Sequence, residues 1–302
     1  MRNVLLALLV LSFVYMGLIQ HDTSVAISQQ LGPSINDEWI EAFSWIRENT
    51  PEDALIASWW DPGHWVVELG KRRSIADGAH CGPGSCYPYP INVRIVDMGR
   101  VLSTSDEDEA TQILSKYKAL SEDDCKEVQS RFDAAPSCDE MKASKVYFIV
   151  YPYFIGIYPW FAYFGSGEKT SMLSLQAQSY SLDENGQVNG FIYTDGYGGT
   201  DFSVYMSNGT FVPVYQNKHI IKKIAYFEQA EDGSAKLRTT EFDDAGILGT
   251  FWANPSFMEA IYMPPEVENS MFVRMWFYDG AGLDNFTQVF KNGYVKIYEV
   301  EV

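Results

Sequence analysis

The sequence predicts an α+β fold, a mixed helix and strand core followed by a β-rich part. Three observations predict it. Of the 302 residues 46% are apolar and 15% aromatic, among them 18 Phe, 19 Tyr and 8 Trp, which is enough to bury a large core and excludes a disordered acidic tail. Short apolar runs alternate with segments of helical period up to about residue 180. Beyond it Gly, Asn and Asp punctuate short alternating runs, the pattern of strands and turns. The expected organisation is therefore a membrane-directed segment over residues 1–20, a mixed α/β core over 21–180 and a β-rich part over 181–302.

The first element is the uncharged run from Val4 to Ile19, preceded by Arg2. Its 16 residues reach roughly 24 Å as a helix, short of the ~30 Å of a bilayer core. It reads as the end of a transmembrane helix whose beginning lies upstream. A signal peptide is the alternative, with Ser24-Val25-Ala26 as a small-x-small cleavage pattern. Either reading sends the acidic remainder to the extracytoplasmic side, because the basic residue precedes the apolar run.

Pro33 to Asn49 is amphipathic, with Ser34 or Asn36 as cap and Trp39, Phe43 and Ile46 on one face, and it stops at Thr50-Pro51. Ala54 to Trp60 reads as a buried strand that delivers Asp61 into a turn, followed by a brief helix from Trp65 to Gly70 and a strand at Ser74 to Ala76. Thr104 to Leu120 is helical, with Asp106, Glu107 and Asp108 in its first turn and Lys116 and Lys118 near its end. A buried strand at Val146 to Val150, an aromatic stretch from Tyr151 to Phe164 and a helix from Gly167 to about Gln178 follow. Strands are then expected at Phe191–Thr194, Phe202–Met206, Phe211–Tyr215, Ile220–Phe227, Met271–Tyr278 and Tyr294–Val300.

Charge and cysteines narrow the partners. With 22 Lys+Arg against 40 Asp+Glu the net charge is −18, and no basic run exceeds Lys71-Arg72-Arg73. Nucleic acid is therefore not an expected partner. Four cysteines in an exported chain suggest two disulfides. Cys81 with Cys86, and Cys125 with Cys138, is the preferred pairing, since each pair brackets a Gly- or Pro-containing loop. A zinc site from His64, His80, Cys81 and Cys86 is the alternative, although its C-x4-C spacing is loose.

The most unusual segment is Ser58-Trp59-Trp60-Asp61-Pro62-Gly63-His64-Trp65. A carboxylate accepts hydrogen bonds, indole N–H groups donate them, and the rings exclude water, so that such a cluster can read a hydroxyl. A Trp-rich core in which Asp61 caps the following helix is the structural alternative. His64 reads as structural rather than as a general base, since nothing nucleophilic is paired with it. The acidic runs at 106–109 and 122–124 lack the alternation and Gly of a calcium loop and read as solvated helix starts. Asn208-Gly209-Thr210 and Asn285-Phe286-Thr287 are formal N-glycosylation acceptors, the first also a hairpin turn.

Trp59-Trp60-Asp61-Pro62-Gly63 resembles the WWDYG signature of the catalytic subunit of oligosaccharyltransferases, above all the archaeal single-subunit form, with Pro62 standing where that family has Tyr. Around it Trp45, Asn49-Thr50-Pro51, Arg73 and Asp77-Gly78 match the family pattern. The resemblance implies that the chain is the extracytoplasmic C-terminal domain of an enzyme that moves oligosaccharide from a dolichyl-phosphate carrier to Asn of Asn-x-Ser/Thr sequons. It implies that Trp59, Trp60 and Asp61 bind the +2 Ser or Thr of the acceptor, and that Lys169 joins them. A second family motif, Asp-x-x-Lys-x-x-x-Met/Ile on a helix, is matched in degraded form by Ser166, Lys169 and Leu173. It further implies Mg2+ or Mn2+ in the full enzyme, bound with the lipid-linked donor in a membrane half outside this chain. The fragment alone is accordingly expected to be inactive. A secreted carbohydrate-binding module using Trp59, Trp60 and Trp65 is the rival reading.

Overall fold

The mixed sheet takes two of its inner strands from short apolar runs, Leu55–Ala57 and Val146–Val150. A computed structural model describes residues 35–78, 89–131, 137–196, 198–199, 201–229 and 235–302, with single positions between 12 and 25. The chain divides into two units, Met1–Glu41 and Ala42–Val302. Helix α1 (Asp37–Asn49) begins in the first and continues into the second; the Asn36 side chain caps it by accepting from the Trp39 amide at 3.0 Å, with Asp37 and Glu38 in the first turn. Most of Val4–Ile19 lies outside the described residues. Among those described, no helix is long and apolar enough to cross a membrane.

In the second unit, β1 (Leu55–Ala57) leads to α2 (Gly63–Glu68) and β2 (Arg73–Ser74). Next come α3 (Ile91–Ser103), α4 (Glu107–Lys118), α5 (Glu122–Arg131), α6 (Cys138–Met141), β3 (Val146–Val150) and α7 (Tyr153–Ser166). β1 pairs in parallel with both β2 and β3. Near the chain's end β12 (Phe286–Lys291) and β13 (Lys296–Val300) add to the same sheet, β13 antiparallel to β3. Buried on both faces, β3 reads Val-Tyr-Phe-Ile-Val, as a central strand must. On one face Trp45 of α1 meets Tyr147 edge-on at 6.4 Å. On the other Tyr298, the register partner of Phe148, donates its hydroxyl to the Met275 carbonyl at 2.7 Å. That carbonyl belongs to α9 (Met271–Phe277), which follows the short α8 (Pro265–Glu268).

The antiparallel sheet runs β4 (Leu173–Leu182), β5 (Val188–Asp195), β6 (Phe202–Ser207), β7 (Thr210–Tyr215), β8 (His219–Gln229), β9 (Ala235–Glu241), β10 (Ile247–Ala253) and β11 (Glu259–Met263). β10 pairs with β11 and also, in parallel, with β8, which closes the sheet on itself. Inside lie Tyr193, Phe202, Ile224 and Phe251, so the closed sheet is a packed core of its own.

Several expectations are corrected. The helix expected over Gly167 to Gln178 is strand β4, because Gly167 adopts a left-handed φ of 80° that ends α7, and Leu173, Leu175 and Ala177 then alternate with polar residues. The strand expected at Met271–Tyr278 is helix α9. Its side chains are buried all round, Ser270 caps it, and so no period distinguishes it in the sequence. The aromatic stretch from Tyr151 is mostly α7, which runs through Pro159. The helix expected from Thr104 begins at Glu107, capped by Asp106 through the amides of Asp108 and Glu109. α3 lay unrecognised before it. Residues 181–302, expected as one β-rich part, divide: 188–263 complete the closed sheet begun by β4, whereas 286–300 return to the mixed sheet.

Cys125 of α5 is disulfide-bonded to Cys138 at the start of α6, with Cα atoms 5.8 Å apart. The Cys81 and Cys86 pair, and His80 of the zinc alternative, lie outside the described residues.

Candidate functional site

Because β1, β2 and β3 are parallel, the segments that follow them emerge at one edge of the sheet, where ligands of open α/β sheets bind. After β1 come Trp59, Trp60 and Asp61; after β2 come Asp77 and Gly78; after β3 come Tyr151 and Tyr153. Tyr294, just ahead of the antiparallel β13, reaches the same edge, its ring 6.2 Å from that of Tyr151. Sequence reasoning singled out the first two groups and missed the tyrosines. Their signal was present, since Tyr151 directly follows the most apolar strand.

Trp59 is buried, at 4% exposure, with its ring 4.8 Å from Phe161 and 6.1 Å from Phe164 of α7. It supports the edge from beneath. Helix α7 can lie so close because it crosses α3 glycine against glycine: a Cβ on Gly165 would sit 2.7 Å from backbone atoms of Gly99 and Arg100. Trp60 and Asp61 are only partly covered and remain accessible.

Gly63 is required by contact. A Cβ there would fall 2.1 Å from the Ala76 carbonyl oxygen and 2.5 Å from Asp77 Cα. The bare backbone of α2 thus rests on the segment after β2, two residues beyond Asp61. His64 is exposed and stands over Gly78, where an added Cβ would meet its Nε2 at 2.7 Å.

Asp61 does not cap α2. The cap position is Pro62, with no side-chain hydrogen bond. Burial raises the Asp61 pKa above the ordinary carboxylate value, opposed only by a hydrogen bond from its own backbone. Among the described residues no cation pairs with this carboxylate. Its nearest charged influence falls on Tyr151, whose hydroxyl is pushed upward by burial first and by Asp61 second. The arrangement is a partly desolvated acceptor, walled by aromatic rings and lacking a strong donor.

A pH dependence follows. The folded chain holds the Asp61 proton more tightly than the unfolded one, so this group favours folding below its unfolded pKa of ~3.9. That contribution is lost as pH rises through the folded pKa. The neutral Asp61→Asn chain should therefore melt no lower than the parent at pH 7, and any advantage should shrink on acidification toward pH 4. An advantage that grows on acidification would show that protein donors hold the carboxylate.

The neighbouring residues of the resemblance are structural ties. Arg72 donates to the Arg47 carbonyl at 2.8 Å, the Thr50 carbonyl at 2.6 Å and the Thr50 hydroxyl at 2.9 Å. Arg73 binds the carbonyls of Met141, Asp53 and Lys142. Ser166, Lys169 and Leu173 are not on one helix: Ser166 ends α7, Lys169 is exposed in the connection, and Leu173 begins β4. Lys169 shares a groove with Trp160 and Tyr163, and no ion pair with Asp61 is formed.

No family model matches the chain. A rice protein called dolichyl-diphosphooligosaccharide–protein glycosyltransferase subunit STT3B is 40% identical over 83 residues, 28% of this chain and 10% of that protein. Dolichyl-phosphooligosaccharide-protein glycotransferase 1 of Pyrococcus furiosus is 52% identical over 44 residues, 14% of this chain and 5% of that one. The matching stretches thus span a tenth or less of either relative's length. Among solved structures, the C-terminal domain of C. jejuni pglb superposes with a TM-score of 0.52 at 16% identity, over 87% of this chain and 99% of that domain. The chain has the fold of that domain. The α+β class, with its β-rich part, agrees with it.

Proposed function

We propose that the chain is the acceptor-recognition domain of a membrane oligosaccharyltransferase, a dolichyl-phosphooligosaccharide-protein glycotransferase that glycosylates Asn in Asn-x-Ser/Thr sequons. The observation that carries this is Asp61, a partly buried carboxylate with no cation beside it among the described residues, set next to Trp60 at the carboxyl edge of three parallel strands. Similarity to the rice and Pyrococcus glycotransferases, and the shared fold, support it. Free-glycan binding by Trp59, Trp60 and Trp65 is disfavoured, because Trp59 is buried against α7 and offers no open face.

In this reading the Asp61 carboxylate accepts the hydrogen bond of the +2 Ser or Thr hydroxyl, Trp60 walls the pocket with the buried Trp59 supporting it from beneath, and Lys169 lies on the path of the flanking peptide. A side chain without the hydroxyl would leave the carboxylate desolvated and unpaired, which is the source of discrimination. The domain faces the extracytoplasmic side and is held there by Val4–Ile19. Mg2+ or Mn2+ and the lipid-linked oligosaccharide are bound by parts of the enzyme outside this chain. Among the described residues no group of three His, Cys, Asp or Glu side chains comes together.

A sequon peptide carrying a photoreactive group beside its Thr tests the site. Cross-links to Trp60, Asp61 or Tyr151, competed by unlabelled Asn-x-Thr peptide, are expected. Labelling confined to the closed β-sheet would overturn the assignment, and saturable binding of free glycans would favour the carbohydrate-binding module.

A further inference from the structure

A second cavity, of about 550 Å³, opens at the opposite end of the same strands, where Leu55 and Arg73 are register partners at the start of β1 and β2. Four cations line it: Lys71, Arg72, Arg73 and Arg94, with Glu52 the one carboxylate among the described lining residues. In a chain of net charge −18 this is a local reversal of sign. The cations come from the turn after α2, from β2 and from α3, so the fold and not a sequence run assembles them.

Arg72 and Arg94 are each only 8% exposed. Arg72 donates to four neutral oxygens: the Thr50 hydroxyl and the carbonyls of Arg47, Thr50 and Lys71. Arg73 likewise binds three carbonyls. Neutral acceptors satisfy guanidinium N–H groups without cancelling their charge. Lys71, held at the rim with a left-handed φ of 53°, faces Glu68 at 3.8 Å, a pair exposed enough to be weakened by water. Positive charge at a low-dielectric wall favours an anion in the cavity. The rest of the lining is largely apolar, Val67 at the mouth included.

We propose that this cavity binds an anionic amphiphile, a phosphate or carboxylate head on a short apolar body, with the head at Lys71–Arg73 and Arg94. Its volume is that of a small-molecule site. The inference does not rest on the function proposed above, since none of its residues belongs to the Asp61 edge.

Isothermal titration of the full chain with monomeric decyl phosphate, decanol and inorganic phosphate tests it. Decyl phosphate should bind at least tenfold more tightly than either of the others, as expected where charge and apolar surface act together. Lys71→Glu should weaken it at least fivefold and Val67→Trp should abolish it, both at an unchanged melting temperature, because both side chains are exposed. Co-sedimentation with phosphatidylglycerol vesicles that is lost in Lys71→Glu would assign the head to a membrane lipid. Monomer binding without co-sedimentation would assign it to a soluble amphiphile, and both uphold the site. Equal affinity for decanol and decyl phosphate, or indifference to both substitutions, would overturn it.

Discussion

Asp61→Ala in the intact enzyme is expected to lower transfer to Asn-x-Thr acceptors by roughly 10- to 150-fold, with the melting temperature of this chain unchanged or raised. The first figure is the loss of one hydrogen bond to a charged group, ~1.5–3 kcal/mol, expressed as a rate ratio. The second follows from the site itself. Asp61 makes no cap to α2, pairs with no cation among the described residues, and is raised in pKa by its own burial. A carboxylate that costs the fold something and, among the described residues, has only its own backbone as donor is poised for a partner. Turnover on a synthetic acceptor, beside a melting curve of the same variant, checks both halves. Unchanged turnover would make the Trp-Trp-Asp cluster structural, and a collapse in stability would restore the capping role that the geometry of Pro62 denies.

Gly63→Ala should be among the most damaging methyl additions at the described glycines. The atoms it would strike, the Ala76 carbonyl oxygen at 2.1 Å and Asp77 Cα at 2.5 Å, are backbone, and no rotamer change can move them away. Helix α2 must lift from the segment after β2. Overpacking of that kind costs typically ~1–3 kcal/mol, and here it also separates Asp61 from its neighbours at the strand edge. Denaturant unfolding should show a lowered midpoint, and acceptor cross-linking at Trp60 should fall with it. Stability within about 0.5 kcal/mol of the parent would mean that the two segments do not touch as described.

These two residues also show how much the sequence disclosed. The signature Trp59 to Gly63 was legible as a carboxylate among indoles, and the strand before it as a short apolar run. The requirement for glycine was not legible from spacing, because the surface it approaches, Ala76-Asp77, is brought in by a parallel strand pairing that no local pattern encodes. Tyr151 and Tyr294 escaped for the same reason: they meet only when β13 returns from the far end of the chain to lie on β3. Helix α9 was hidden by burial and α7 by aromatic residues on its exposed face as well as its buried one, since a segment apolar on every side shows no period. By contrast the alternation of Leu173, Leu175 and Ala177 with polar residues was visible, and it runs against the helix expected there. The disulfide from Cys125 to Cys138 joins residues only 13 apart in the sequence, and such local constraints are what a sequence conveys best.

The central claim is that Asp61 reads a hydroxyl, and the most direct measurement compares kcat/KM for Asn-x-Thr and Asn-x-Val acceptors in the intact enzyme and in its Asp61→Ala variant. Valine keeps the shape of threonine and removes only its donor. The parent enzyme should prefer the threonine acceptor strongly, and the variant should lose most of that preference through a slower reaction with threonine alone. If the variant discriminates as well as the parent, the hydroxyl is read elsewhere and the role given to Asp61 is wrong.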